Sequence, residues 1–477
     1  MSAIYPKDKL ASPKRNSSFQ KRSLSRRYGK QLLTAFSFMF FSSLCYMNFW
    51  HRYQSKSYSS TLRLQTQEEE YEASNGAGRY LSYLPHSGFH NQRIALENAL
   101  SLAKVLNRTL LMPSCLLGIA VPWIRFDKLS QRLQAVSLLG LEHCQSETIA
   151  SRECTGRTQA TWLAWKHIIN MSEVKKNVKV FERDSFEKDW LYKKLDIRNP
   201  KQEIYRLEDT SPYHYRFVLN GKDPHPMNRL GKFNKSIDVH QRLGACNAKL
   251  IELGSLFGSG RLKIVKDPEA RQVRANFRRA MVFNNPVLAG LATEISNQLG
   301  GQDNFLAVHI RIGDNIFRAE AKDRVTVVIN RLVEEHLKVP LSRLRMATQS
   351  TQEGHQVDTH LPRCRRLLHA NPALAAFNRP LFIATDAPIP EAEPTLATLF
   401  KAFPCSYLLK DFNLAKLKKL KNPKDGTPLG KLLIPMLDAM VAAKASGVVG
   451  TNGSTFSRFV TDVLFQTDHK LPIIEIG

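Results

Sequence analysis

In the hexapeptide His309-Ile310-Arg311-Ile312-Gly313-Asp314, an imidazole, a guanidinium, a glycine and a carboxylate follow directly on the apolar run Asn304-Phe305-Leu306-Ala307-Val308. That run reads as a buried parallel strand, and a charged Arg at its carboxyl end faces a crevice rather than the core. Arginine presents five donors in a rigid fork and keeps its proton, so Arg311 suits the oxygens of a departing phosphate in a way that lysine does not. His309 would hold a hydroxyl or a ring edge. The purely structural alternative is an Arg311–Asp314 ion pair closing a turn.

Three further segments fall at expected strand ends. Pro85-His86-Ser87-Gly88-Phe89-His90-Asn91-Gln92-Arg93 would bring polar groups to a helix start, with Gly88 allowing close backbone approach; otherwise it is a glycine turn in which Asn91 caps the helix. In Ala384-Thr385-Asp386, the carboxylate could accept from adjacent ring and amino donors of a purine such as guanine, or simply cap a helix. Gly450-Thr451-Asn452-Gly453-Ser454-Thr455-Phe456-Ser457 sets small residues between a strand and an apolar helix, where successive N–H groups and hydroxyls can point at an anion.

The elements that must position these segments alternate in type. Tyr80 to Leu84 reads as a strand, Asn91 to Leu106 as a helix with Leu96, Ala99, Leu100, Ala103 and Leu106 on one face, and Thr109 to Pro113 as a second strand. This is a βαβ unit with parallel strands. Helices are expected over Glu269 to Phe283 and Val287 to Leu299, ending at Gly300-Gly301, the best candidate for a domain boundary. The rhythm then resumes with strands Asn304 to Ile310, Pro380 to Thr385 and Gly447 to Gly450, and helices Thr326 to Leu337 and Leu432 to Ala445. The stretch from Leu116 to Pro268 shows no clear period, and Pro340 to Arg379 reads as a polar surface insertion.

The chain of 477 residues is 43% apolar and 23% charged, which is the composition of a folded protein. From Gln31 to Trp50 no residue is charged, a length that spans a bilayer core. Nine bases and one acid precede that stretch, and Glu68, Glu69, Glu70 and Glu72 follow it, so the positive-inside rule gives a type II anchor. The divisions are a cytoplasmic tail at 1–30, a signal anchor at 31–50, a stem at 51–78 and two αβ domains at 79–300 and 301–477. A cleaved signal peptide is the rival; the long basic lead and the missing small-x-small site argue against it. Of the formal charge of +27, the first fifty residues supply +8, leaving +19 on the expected lumenal part. That field favours an anionic ligand, and a lumenal location argues against nucleic acid. The lysines at 416, 418, 419, 421 and 424 read as a solvated face. Apart from Cys45 in the anchor, six cysteines remain; Cys144 and Cys154 suggest a local staple, and the other pairings stay open. Asn107, Asn170, Asn234 and Asn452 begin glycosylation sequons.

The order of Gly88-Phe89-His90-Asn91-Gln92-Arg93, Asn107-Arg108-Thr109-Leu110-Leu111-Met112-Pro113, His309-x-Arg311-x-Gly313-Asp314, Ala384-Thr385-Asp386 and Gly453-Ser454-Thr455-Phe456-Ser457 resembles the GDP-fucose protein O-fucosyltransferase family. The resemblance runs from about residue 80 to the end. It implies an α/β, GT-B type architecture, with two Rossmann-like domains facing across a cleft, and inverting transfer of fucose from GDP-fucose to a protein or glycan hydroxyl, with neither a cofactor nor a required metal. By position it makes Arg311 and Asn91 the catalytic pair, Arg311 assisting departure of GDP. Gly88, Phe89, His309, Asp386, Ser454, Thr455 and Phe456 would bind the donor, with Asp386 reading guanine. The location implied is the Golgi or endoplasmic reticulum membrane. No Asp-x-Asp occurs in the chain to hold a divalent ion against a diphosphate. The first loop has His86 and His90 where some relatives carry a carboxylate base, which leaves the base unassigned. Two other readings are a glycosyltransferase using another nucleotide sugar and a non-catalytic lumenal binding protein of the same fold.

Overall fold

The structure, a computed structural model, describes residues 78–137, 160–219, 232–313, 315–350, 362 and 364–474. The tail, anchor and stem, the Cys144–Cys154 staple, Asp314 and most of the 350–363 stretch lie outside the described residues. Among the described residues no helix is long and apolar enough to cross a membrane.

Among the described residues fourteen strands run in chain order: β1 Tyr80–Tyr83, β2 Thr109–Pro113, β3 Cys115–Leu117, β4 Thr161–Leu163, β5 Val180–Arg183, β6 Ile204–Leu207, β7 Tyr215–Leu219, β8 Lys235–Asp238, β9 Leu250–Leu253, β10 Leu262–Ile264, β11 Leu306–Ile310, β12 Leu381–Thr385, β13 Ser406–Tyr407 and β14 Gly447–Gly450. The helices that matter for the site are α1 Phe89–Val105, α2 Pro268–Ala280, α3 Pro286–Gln298, α4 Ala321–Arg331, α5 Ile434–Ala443 and α6 Thr455–Phe459.

Two all-parallel sheets dominate. One has five strands in the order β5-β2-β1-β9-β6, the other four in the order β13-β12-β11-β14. The central strands β1 and β11 and the edge strand β14 are buried along their full length, which is why they read as mostly apolar runs. The expected βαβ unit is present, and β1 pairs with β2 in parallel from Tyr80 opposite Thr109.

Helix starts follow their sequence signals. Asp267 accepts from the Ala270 N–H ahead of Pro268, and Asn285 accepts from Val287 and Leu288 ahead of Pro286. Helix α1 departs from its signal: it begins at Phe89 with Gly88 at the cap position, three residues ahead of the Asn91 cap considered from sequence. It is buried on almost every side, and its polar residues tie down loops. The Gln92 amide exchanges two hydrogen bonds with Leu116, and Asn98 donates to Leu256 and Gly258 carbonyls.

The aperiodic middle resolves into short strands. β5, β6 and β9 complete the first sheet, β7 pairs with β8 and β10 in a small parallel sheet, and β3 pairs with β4 in an antiparallel ribbon. Gly300 and Gly301, both with positive φ, carry α3 into β11. Cys364 and Cys405 form a disulfide across 41 residues, stapling the end of the polar insertion beside β13. Cys115 and Cys246 are free thiols.

Candidate functional site

Three of the four segments meet at one sheet edge. The carboxyl ends of β11, β12 and β14 are neighbours in register, with His309 opposite both Ala384 and Gly450. Each strand therefore delivers its loop to the same place, the crevice where open α/β sheets receive ligands.

The loop after β11 is held by the other two. The Arg311 N–H donates to Thr451 Oγ1 at 3.0 Å, and Asp386 takes the Ile312 N–H at 2.7 Å on one oxygen and the Gly313 N–H at 3.0 Å on the other. The same carboxylate pairs with the Arg311 guanidinium at 2.7 Å, with side-chain exposures of 36% for the arginine and 27% for the aspartate. Asp386 is thus engaged with the loop through both oxygens. Gly313 makes this approach possible, since a Cβ there would lie 2.5 Å from Asp386 Oδ2. Among the described residues Arg311 pairs with Asp386, from another strand; the carboxylate considered from sequence, Asp314, lies outside them.

The loop after β14 turns back over β11. Ser454 caps α6 by accepting from the Ser457 N–H, and Ser457 Oγ lies 2.7 Å from His309 Nδ1. Gly450 leaves the space that Ser457 occupies, a Cβ there falling 2.7 Å from the Ser457 Cβ. At the loop tip Gly453 has φ +80°, and Arg324 of α4 donates to the Asn452 carbonyl while pairing with Glu320. His309 is buried, and loss of hydration, tempered by Asp386, pushes its pKa down to about 4, so the ring is neutral at neutral pH.

The first of the four segments in chain order, Pro85 to Arg93, reaches the same place through rings. Phe456 is wedged between two imidazoles, its centroid 5.1 Å from His309 and 5.3 Å from His90. His90 also lies 5.2 Å from Phe459, and burial, with the Arg93 charge, holds its pKa well below the ordinary value. Phe89 points elsewhere, packing on Trp165 and Phe283. A Cβ on Gly88 would meet nothing within 4 Å, so the backbone there stands clear. Asn91 sits half-buried in the first turn of α1.

Of the two histidines considered as base, His86 is occupied. Its Nδ1 lies 2.8 Å from Ser87 Oγ and its Nε2 2.7 Å from Ser255 Oγ, and burial lowers its pKa to about 4. Ser87 adopts φ +66°, a left-handed conformation unusual for serine, fixed by its N–H donating to Val121 and its carbonyl accepting from Gln92.

Sequence reasoning missed Thr451 and Ser457 as anchors of the β11 loop, although both lie in the quoted small-residue segment. It also missed Arg324, which only the folding of α4 against the β14 loop brings near. Arg93 was in the first segment but was given no role.

The chain matches the model of a family described as GDP-fucose protein O-fucosyltransferase over residues 149–463, a span that holds the second, third and fourth segments. Among solved structures it is similar to POFUT1 in complex with GDP-fucose, at 12% identity and a TM-score of 0.36, covering 83% of this chain and 96% of that one. A second crystal form of that complex gives 13% identity, a TM-score of 0.38 and coverages of 83% and 97%; a GDP complex gives 13%, 0.37 and the same coverages. No curated protein sequence matches it.

Proposed function

The chain belongs to the GDP-fucose protein O-fucosyltransferase family and is a glycosyltransferase of that kind, and from that premise we propose that it transfers fucose from GDP-fucose to a hydroxyl of a protein or glycan acceptor, with inversion and without a metal. The observation that carries the reading is the convergence of the β11, β12 and β14 loops, which sets a neutral imidazole, a guanidinium and a small-residue turn at one sheet edge. In this reading the β-phosphate lies against Arg311, and the small-residue loop from Thr451 to Ser454 supplies donors to the diphosphate. Arg311 stabilises the charge that develops on GDP as the glycosidic bond breaks. Asp386 holds the arginine and its loop in place, so that little reorganisation accompanies that charge. Ser454, Thr455 and Phe456 line the nucleotide, and Asn91 with the Gly88 backbone faces the reacting sugar.

A GT-B arrangement, a single amino-terminal anchor and a lumenal catalytic body in the Golgi or endoplasmic reticulum complete the proposal. The apolar stretch at 31–50 and its basic lead support the anchor.

The test is donor binding followed by turnover. Calorimetry with the purified chain should give GDP affinity that Arg311→Ala weakens, and GDP-fucose with an acceptor should release GDP. Binding of a pyrimidine nucleotide sugar in preference to GDP-fucose would refute the donor assignment.

A further inference from the structure

A second concentration of buried positive charge lies beyond the aromatic contacts of His90. Glu97 of α1 is 2% exposed and receives Arg93 at 3.4 Å, Arg274 at 3.1 Å and Arg278 at 2.6 Å. Among the described residues, three guanidiniums thus converge on one carboxylate, so that positive charge outnumbers negative in a site from which water is largely removed. Such an excess is costly unless something else neutralises it. Arg274 is otherwise satisfied by the Leu262 and Ser259 carbonyls. Arg93 is not: its side chain is 4% exposed, its Cζ lies 4.1 Å from the Phe459 centroid, and its Nε is buried with no hydrogen-bond partner among the described residues. His90 Nδ1 is likewise buried and unpartnered.

These side chains share a small cavity of about 40 Å³, partly open to solvent, whose lining includes His90, Arg93, Glu97, Arg274, Arg278, Thr455 and Arg458. Arg458 stands half exposed at the rim, 3.6 Å from Asp462. Thr455 and His90 place the cavity next to the donor loops, whereas Arg311 belongs to the β11 loop, with His309 and Phe456 between that loop and His90.

We propose that this cavity binds an oxyanionic group of the acceptor, a carboxylate or a phosphate ester, beside the nucleotide sugar. A guanidinium fork matches either group, and an incoming oxyanion would satisfy the Arg93 Nε–H while offsetting the excess charge. The inference rests on the reading above in one respect, that the nucleotide occupies the loops of Arg311 and Thr451.

The experiment titrates inorganic phosphate, and separately acetate, into the purified full chain held at saturating GDP, and measures affinity by calorimetry. At least one anion should bind with the nucleotide in place, and the tighter of the two identifies the acceptor's group. Arg93→Met keeps an apolar stem over Phe459 and should weaken anion binding about tenfold with GDP affinity changed less than twofold. Arg458→Gln, at the rim, should weaken it less and serves as the reporter should Arg93→Met fail to fold. Competition between GDP and both anions, or no anion binding at all, overturns the inference. Anion binding in a chain that does not bind GDP would sink the donor reading and leave the anion site standing.

Discussion

Two arginine–carboxylate arrangements in this molecule look alike on paper and differ in physical character. Arg311 and Asp386 come from loops at two neighbouring strand ends and are about one-third exposed. Arg93, Arg274, Arg278 and Glu97 project from two packed helices and are at least nine-tenths buried. In the first, water screens both partners, so the pair can loosen or re-form around a ligand at small cost. In the second, the charges were desolvated when α1 packed on α2, and breaking the set leaves ions stranded. An adjustable cation at a strand end suits a charge that appears during a reaction. A fixed cationic cluster suits a charge that is present throughout.

That contrast can be broken at either side. The largest effect is expected from Glu97→Gln, which keeps the shape and leaves three buried guanidiniums without their carboxylate; a loss of about 3–5 kcal/mol should appear in urea unfolding. A cost under about 1 kcal/mol would mean that the cluster is far more hydrated than its burial implies. Arg311→Ala should leave that unfolding curve almost unchanged while lowering kcat by about 10²–10³, equivalent to about 2.7–4 kcal/mol of lost electrostatic stabilisation.

Asp386→Asn addresses the joint between the two parts of the strand-end loop. Its amide oxygen can still accept one of the two N–H groups, but the other loses its partner and Arg311 its counter-charge. A stability loss of about 1–3 kcal/mol is expected, accompanied by a fall in turnover smaller than that of Arg311→Ala. A turnover loss equal to that of Arg311→Ala would instead give the carboxylate a direct role with the nucleotide.

Acidification separates the regions by sign. His309 and His86 are neutral in the fold, with pKa values lowered to about 4, while in the unfolded chain they titrate near 6.5. Below pH 6.5 the unfolded state therefore binds more protons, and stability falls as pH drops from 6.5 toward 4 by up to about 1.4 kcal/mol per pH unit for each ring. Glu97 follows later: burial works against its charge, but Arg278, Arg274 and Arg93 hold its pKa well below the usual carboxylate range, so its contribution is lost only as pH falls beneath 4.5. Thermal melts of His309→Asn should show a shallower slope between pH 6.5 and 4. The smallest effect is assigned to Ser454→Ala, which removes the α6 cap for about 1 kcal/mol and should raise KM more than it lowers kcat.

Legibility followed burial and local signal. Strands β2 and β14 have the bounds expected from sequence, because an apolar run bounded by turn residues specifies a buried strand locally. The caps Asp267 and Asn285 carry an equally local signal, a side-chain acceptor directly before a proline, which the reading of the sequence left unused. The region between Leu116 and Pro268 was opaque because strands such as β5, β6 and β8 carry charged residues and are only partly buried, so no continuous apolar run marks them.

The amino-acid sequence by itself determined the alternation of strands and helices, the small-residue turns after them and the presence of a guanidinium at a strand end, since each depends on neighbours within a few residues. Only the tertiary structure decided which carboxylate that guanidinium meets, that Asp386 is committed to the loop beside it, and that Glu97 gathers three arginines from two helices. Those outcomes depend on which strands and helices become neighbours, and that is set by packing between segments as much as 181 residues apart, a relation that no local spacing encodes.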